Sequence, residues 1–439
     1  MHSLTLEEVF TPNGFPTHTY VERDGKKNEG QVALGLKMIG LVSIAGPSKS
    51  GKTVLAEKVV TESALLTIAG GTISTAADLW NQVLQRTKTP GTTTTGSATS
   101  VTGSASTSAK GEAKILGTGV EGGGGLQIGG SQGWTQAQTF SNSGYTAACD
   151  ALRAANKVLL VDDFHYIPKA VQTELSNQFK EITRRSPGAQ NTRIIVALVP
   201  HRADDPVRAN PDLRGRICTV DLEYWSTEDL EQIAKKGMEA LNIEIPRTLI
   251  RRLAEQAAGS PQLMQTLCFT MVSALEISSR QPHRQTLKPN EAVVLQALTT
   301  TATMNDSRTL IKKLDDGRMT RGKERATLSF RDGTTGDVYT CILRALAMDP
   351  PALDFDAANL RARISDLCTT SPAWQNVINT IGRMREIADE VAPQTIDWDG
   401  DQLSLLDPHI LFYLRWCGDY RKPRLELLAA PPVRRSPKA

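Results

Sequence analysis

Between residues 46 and 53 the chain reads Gly46-Pro47-Ser48-Lys49-Ser50-Gly51-Lys52-Thr53, which sets two glycines, a lysine and a hydroxyl at the spacing G-x-x-x-x-G-K-S/T. Glycines let a backbone curl until successive N–H groups point at one anion, and a helix starting there adds partial positive charge. In such a loop, Gly46 to Val54 cradle phosphates, Lys52 reaches the β- and γ-phosphates, and the Thr53 hydroxyl is placed to ligate Mg²⁺. The apolar run 38–45 predicts a buried strand feeding the loop, and 53–61 predicts a helix leaving it. The pattern predicts a site for a nucleoside triphosphate.

A second element of the same chemistry lies about 110 residues on, where Val158-Leu159-Leu160-Val161 runs into Asp162-Asp163. Carboxylates at the end of a buried strand can divide the work. Asp162 is assigned to hold Mg²⁺, and Asp163 to activate the attacking water.

Positioning these groups requires alternating strands and helices. Strands are predicted near 64–69, 157–161 and 193–199, and helices near 76–85, 147–156 and 169–184. That alternation implies an α/β fold with a parallel sheet and helices on both faces. The segment 1–37 precedes the core 38–225, a helical lid spans 226–300, and a charged linker covers 301–325. A domain at 326–425 and a tail at 426–439 complete the 439 residues. Residues 88–145 are dominated by Thr, Ser and Gly. They read either as a flexible surface insertion or as a hairpin-like element that pairs with a neighbouring subunit or ligand.

The composition, 40% hydrophobic and 22% charged, is that of a globular protein, and a formal net charge of +3 is too small to argue for nucleic acid. Six scattered cysteines without a C-x-x-C pair suit reduced thiols. With no signal-peptide pattern at MHSLTLEEVF and no apolar run of membrane-spanning length, a soluble cytoplasmic protein without membrane contact is expected.

Over about residues 17–300 the chain resembles AAA+ and STAND-type P-loop ATPases of the initiator-like and archaeal-ATPase branches. Thr19-Tyr20-Val21-Glu22-Arg23 is similar to the segment preceding the P-loop there, which implies that Tyr20 and Arg23 lie near adenine. VDDFHYI (161–167) resembles the acidic motif of STAND proteins. Arg202 falls in the sensor-1 neighbourhood, with His201 in the place of the polar sensor or simply on the surface. NPDLRGRI (210–217) resembles the arginine-finger segment, which implies Arg216 first and Arg214 second as the finger. Pro261 and Gln262 stand at the sensor-2 position, where a neutral amide replaces the usual arginine. The resemblance therefore implies ATP and Mg²⁺ as cofactors, slow turnover, and self-association into a ring or filament.

Helices predicted at 338–347, 358–367 and 373–390, followed by a hairpin turning at Asp399-Gly400, make a winged helix-turn-helix, which these relatives also carry. Asp407-Pro408-His409 through Trp416 resembles the closing segment of archaeal-type ATPases. The third helix offers Gln375, Asn376, Asn379, Arg383 and Arg385 to a groove. Residues 337–424 nevertheless carry nine basic against thirteen acidic side chains, and Asp397, Asp399 and Asp401 crowd the wing, which disfavours nucleic acid. The expected function is a nucleotide-dependent switch in signalling or anti-phage defence, working with separate effector or sensor proteins. The alternative is a DNA-transaction ATPase: a transposition regulator, initiator or helicase loader.

Overall fold

Strands β1 (Leu41–Ala45), β2 (Leu65–Ala69), β3 (Val158–Asp162), β4 (Arg193–Leu198) and β5 (Cys218–Asp221) form one sheet in the order β2-β3-β4-β1-β5. All four pairings are parallel. They belong to a computed structural model that describes residues 3–23, 25, 27–87, 144–183, 192–199, 213, 215–304, 307–318, 325–393, 395–417 and 420. Residues 88–143 of the Ser/Thr/Gly insertion, His201, Arg202, Arg214 and the 426–439 tail lie outside the described residues.

The apolar runs explain the sheet. Every residue of β1 is buried, as are Val158–Val161 of β3, because helices cover both faces of a parallel sheet. On one face pack α4 (Ala76–Arg86), α5 (Gly144–Ala154) and α6 (Lys169–Ile182), around Leu79, Trp80, Leu152 and Phe179. On the other lie α2 (Lys27–Met38) and α3 (Lys52–Val59), through Val32, Leu36, Leu55 and Ala56. The strand expected from residue 38 starts at Leu41, because Met38 still closes α2. β4 sits between β1 and β3, so the P-loop and the acidic pair leave the same sheet edge with one strand between them.

The lid consists of α7 (Thr227–Ala240), α8 (Arg247–Gln256), α9 (Pro261–Ala274) and α10 (Glu291–Met304), with a short parallel pair, β6 (Ile243–Glu244) and β7 (Gln285–Thr286). Ser226 and Ser260 cap α7 and α9 by accepting from Asp229 N and Leu263 N. The N-terminal segment is split between two units. Leu6, Val9 and Phe10, in and beside the short helix α1 (Leu6–Val9), enter the lid core, whereas α2 belongs to the sheet.

The expected linker 301–325 is corrected in part. It contains α11 (Arg308–Asp316), whose Leu310, Ile311 and Leu314 are buried in the C-terminal core. Five charged side chains in this nine-residue helix masked its apolar stripe in the sequence. Beyond a small hairpin, β8 (Leu328–Ser329) and β9 (Thr335–Gly336), the chain runs through α12 (Val338–Ala347), β10 (Asp354–Asp356), α13 (Ala357–Leu367), α14 (Trp374–Val391), β11 (Ile396–Trp398) and β12 (Gln402–Leu405). The last three strands form an antiparallel sheet in the order β10-β12-β11. This helix-strand-helix-helix-strand-strand succession has the element order expected of a winged helix. The final helix, α15 (Pro408–Trp416), sends Ile410, Leu411 and Leu414 into the C-terminal core and Phe412 and Trp416 into the lid core. No helix among the described residues is long and apolar enough to cross a membrane.

Candidate nucleotide site

The P-loop turns into α3 at Gly51, whose φ of 96° lies in the left-handed region that glycine enters without strain. Lys52 is 7% exposed and folds its ammonium back onto the loop, donating to Gly46 O at 3.1 Å and Pro47 O at 2.8 Å. Burial lowers the Lys52 pKa to about 8, against the opposing pull of Asp163 and Asp162. A triphosphate entering the loop would replace those carbonyls and favour the charged form of the lysine.

Thr53 Oγ1 donates to Asp162 Oδ2 at 2.7 Å, joining the loop to the end of β3. Burial pushes the Asp162 carboxyl above its usual range, although the Thr53 hydrogen bond works against it. A hydroxyl and a carboxylate in contact form a hard-oxygen pair of the kind Mg²⁺ takes beside phosphate oxygens, so these residues fit the ion. Asp163 adopts φ 52° and ψ 45°, which turns its side chain off the strand line, and its N–H donates to Asp162 Oδ1 at 3.0 Å. The turn depends on Gly70, where an added Cβ would stand 2.3 Å from Asp163 O.

A cleft of about 590 Å³ connects these groups to the lid. Ser48 through Val54, Asp162, Asp163, Tyr20, Arg23, Pro261 and Gln262 all line it, so most of the residues singled out from the sequence share one cavity. Gly46 and Pro47 contribute backbone carbonyls to Lys52 instead. Tyr20 donates to Glu29 Oε1 at 2.5 Å and lies under the Lys58 ammonium, 4.7 Å from its ring. Burial first, and then the Glu29 bond, pushes its hydroxyl above the usual tyrosine range. The Arg23 guanidinium lies 5.1 Å from the Trp225 ring centroid and donates to Glu223 O at 3.2 Å. Arg23 is thus tied to the connection between sheet and lid. Gln262 Nε2 donates to Asn13 Oδ1 at 3.0 Å. Arg216 is exposed and does not line the cleft of its own chain.

Three partners were missed from sequence. Trp225 Nε1 donates to Ser50 O at 2.9 Å, so the sheet-to-lid connection touches the P-loop directly. Lys49, at φ 61°, reaches the start of α15, with its ammonium 3.2 and 3.1 Å from the Asp407 carboxylate oxygens and 2.9 Å from His409 Nδ1. That imidazole nitrogen is also 3.2 Å from Asp407 Oδ1, and at any moment it either accepts from the lysine or donates to the carboxylate. Burial alone would raise the Asp407 carboxyl, but the His409 hydrogen bond and the Lys49 charge overcome it and hold it well below the usual range. The Asp-Pro pair at the start of α15 was a legible helix-start signal, whereas its contact with residue 49 was not.

A P-loop feeding α3, an acidic pair ending a strand one place removed and a helical lid over the cleft together make a P-loop nucleotide-binding arrangement, with the C-terminal domain behind it. The chain is similar to the Holliday junction branch migration complex subunit RuvB of Neorickettsia sennetsu, with 27% identity over 153 residues. That match covers 33% of this chain and 46% of the relative, so the chain spans about half the length of this curated protein. Solved structures with a similar arrangement include Cdc6p from Pyrobaculum aerophilum, at 10% identity and a TM-score of 0.45, covering 94% of this chain and 99% of that one. A Walker-type ATPase of Pyrococcus abyssi shares 14% identity at a TM-score of 0.47, covering 91% and 99%. No family profile matches the chain.

Proposed function

We propose that this protein binds ATP with Mg²⁺, hydrolyses it slowly, and uses the bound state to set the position of its winged helix. The observation that carries the proposal is the Lys49–Asp407–His409 cluster, which joins the phosphate loop to a helix some 358 residues away in the chain. A γ-phosphate arriving beside Lys49 competes with Asp407 for the same ammonium. Nucleotide state is thereby converted into the presence or absence of an interdomain contact.

Within the site, loop N–H groups and Lys52 would hold the phosphates, and Asp163 would take a proton from the attacking water. Mg²⁺, held by Thr53 and Asp162, would supply charge neutralisation on the phosphate oxygens. Gln262 offers no positive charge to the γ-phosphate, which favours slow turnover. Arg216, exposed on its own chain, suits a finger presented to a neighbouring copy in a ring or filament. Signalling or anti-phage defence with separate effector or sensor proteins is the setting that suits such a switch.

The likeness to RuvB favours a second reading, a DNA-transaction ATPase. Charge weighs against it. On α14, Arg385 lies 3.8 Å from Asp389 and 3.9 Å from Asp397, and its Nη1 donates to Trp398 O, so this cation is already engaged. Steady-state ATP turnover with and without duplex DNA separates the two readings. Slow turnover indifferent to DNA supports the switch, and strong stimulation by DNA replaces it. In the same assay Asp163→Asn should slow turnover by about 100-fold or more while retaining ATP. Lys52→Ala should lose binding, and mixing it with Arg216→Ala should restore activity. Unchanged turnover in Asp163→Asn would remove that residue from the mechanism, and failure of the mixture would remove the finger.

A further inference from the structure

Lys49 Nζ is held at the start of α15 by the Asp407 carboxylate, at 3.2 and 3.1 Å, and by His409 Nδ1, at 2.9 Å. The shortest of these contacts fixes a proton. An ammonium can only donate, so while Lys49 is seated there the Nδ1 atom accepts and carries no hydrogen. Nδ1 is also 3.2 Å from Asp407 Oδ1, an approach that is a hydrogen bond only when Nδ1 bears a proton. Protonating the imidazole therefore changes both contacts together. Nδ1–H then faces the lysine donor against donor and charge against charge, while its bond to Asp407 forms. His409 is 5% exposed and already tied to Asp407, since its backbone N–H donates to Oδ1 at 2.9 Å. Lys49 is the partner able to leave, because its side chain is 28% exposed and its ammonium ends a flexible stem.

Other ionisable groups reach this cluster from neighbouring elements. Tyr166, just after β3, feels Asp163 and Asp407, and Tyr224, between β5 and α7, feels Asp354 of β10 and Asp407. Burial first, and then these carboxylates, pushes both phenols above the usual tyrosine range, so they stay neutral where histidine titrates. Asp407, held well below the usual carboxylate range, stays ionised there. The elements β12, α10, α11 and α12 meet α15 through apolar side chains such as Leu405, Leu298, Ile311 and Ile342. Arg308 of α11 acts on Cys417 at the far end of α15. We infer that His409 is a proton-sensitive latch on the interdomain contact: when its imidazole takes up a proton, Asp407 exchanges Lys49 for His409 and the lysine is released to the phosphates. The inference rests on the nucleotide reading above and adds proton concentration as a second input to the same contact. Acid and a γ-phosphate act in one direction, since each separates Lys49 from Asp407. The contact is held above the histidine range and lost as pH falls through it.

The experiment titrates the full chain calorimetrically with ATP and Mg²⁺ at about pH 5.5 and about pH 7.5, on either side of the ordinary histidine midpoint. Two variants run beside it. In His409→Asn the amide oxygen can accept from Lys49 but takes no proton, so the contact should hold at both pH values. In Asp407→Asn the carboxylate is gone, and Lys49 is released at both. The three chains share Lys52 and the ligand's own protonation, so those effects cancel in the comparison. On going to the lower pH, ATP affinity of the unaltered chain should gain about two- to fivefold over the gain in either variant. It should match His409→Asn at the higher pH and Asp407→Asn at the lower, a crossing that simple loss of structure would not produce. If one variant loses its thermal unfolding transition, the other carries the comparison. An equal gain in all chains overturns the latch and leaves the nucleotide site standing. Absence of ATP binding by the unaltered chain overturns the nucleotide reading itself, and the latch with it.

Discussion

Against the lid, the winged-helix domain is held by Phe412, Trp416 and a fully buried Arg415; against the P-loop it is held by Lys49, Asp407 and His409. At the lid face Arg415 donates to Gln256 Oε1 at 3.0 Å, to Ala347 O and Met348 O at 2.8 and 3.0 Å, and to Asp349 Oδ1 at 2.6 Å. Trp416 Nε1 donates to the same Gln256 oxygen at 3.1 Å. At the P-loop face the side chains of Lys49 and Asp407 are still 28% and 26% exposed. A buried cation that satisfies several acceptors is strongly destabilising to remove. An ion pair this open to water contributes about 1 kcal/mol or less. The lid face is therefore the stronger of the two contacts and the P-loop face the weaker.

The largest expected effect tests the lid face. Arg415→Ala should cost about 3–5 kcal/mol in denaturant unfolding, since the Ala347 carbonyl loses its donor and Gln256, Met348 and Asp349 each lose a charge-assisted hydrogen bond. A loss under about 1 kcal/mol would erase the distinction between the faces. Next comes the charge on the loop. With its pKa lowered to about 8, Lys52 loses its proton above that pH in the empty site, whereas bound phosphate holds the proton on. Binding is then coupled to proton uptake, and ATP affinity should fall by at most about tenfold per pH unit above 8. Titration in buffers of differing ionisation enthalpy would register that proton, and a flat profile to pH 9.5 would show that Lys52 stays charged.

The smallest effect belongs to the contact itself. Asp407→Asn keeps a residue able to cap α15 but removes the charge facing Lys49, so stability should change by about 1 kcal/mol or less. ATP affinity should rise by about fivefold or less, because the lysine is no longer shared. Raising salt should weaken the contact in the unaltered chain and have less effect on the variant, a difference that small-angle scattering can follow. Equal responses in both would mean that the pair holds nothing closed.

Legibility followed sequence distance. Gly46–Thr53 and Val158–Asp163 were readable because eight or fewer contiguous residues encode a loop and a strand end, and Ser48–Thr53, Asp162 and Asp163 among them line the cleft. The helices of the winged domain were readable from their apolar spacing, with boundaries within a residue of those found. Less visible were α2, whose mixed composition hides its three buried positions, and β10, where Phe355 alone is buried between two aspartates. Tyr20 and Arg23 line the cleft, with the Arg23 guanidinium packed on Trp225.

By itself the sequence determined that a glycine-rich loop joins a buried strand to a helix, that two carboxylates end a second buried strand, and that a helical block precedes a domain of helices and a hairpin. Each of these is written in local backbone geometry or in the period of apolar residues. Tertiary structure alone decided that Lys49 answers to Asp407 and His409, that Trp225 rests on the loop, and that Gln265 of the lid meets Thr19 of the N-terminal segment. Those outcomes depend on which distant groups the fold brings within about 3 Å, where a single proton or charge can serve only so many partners.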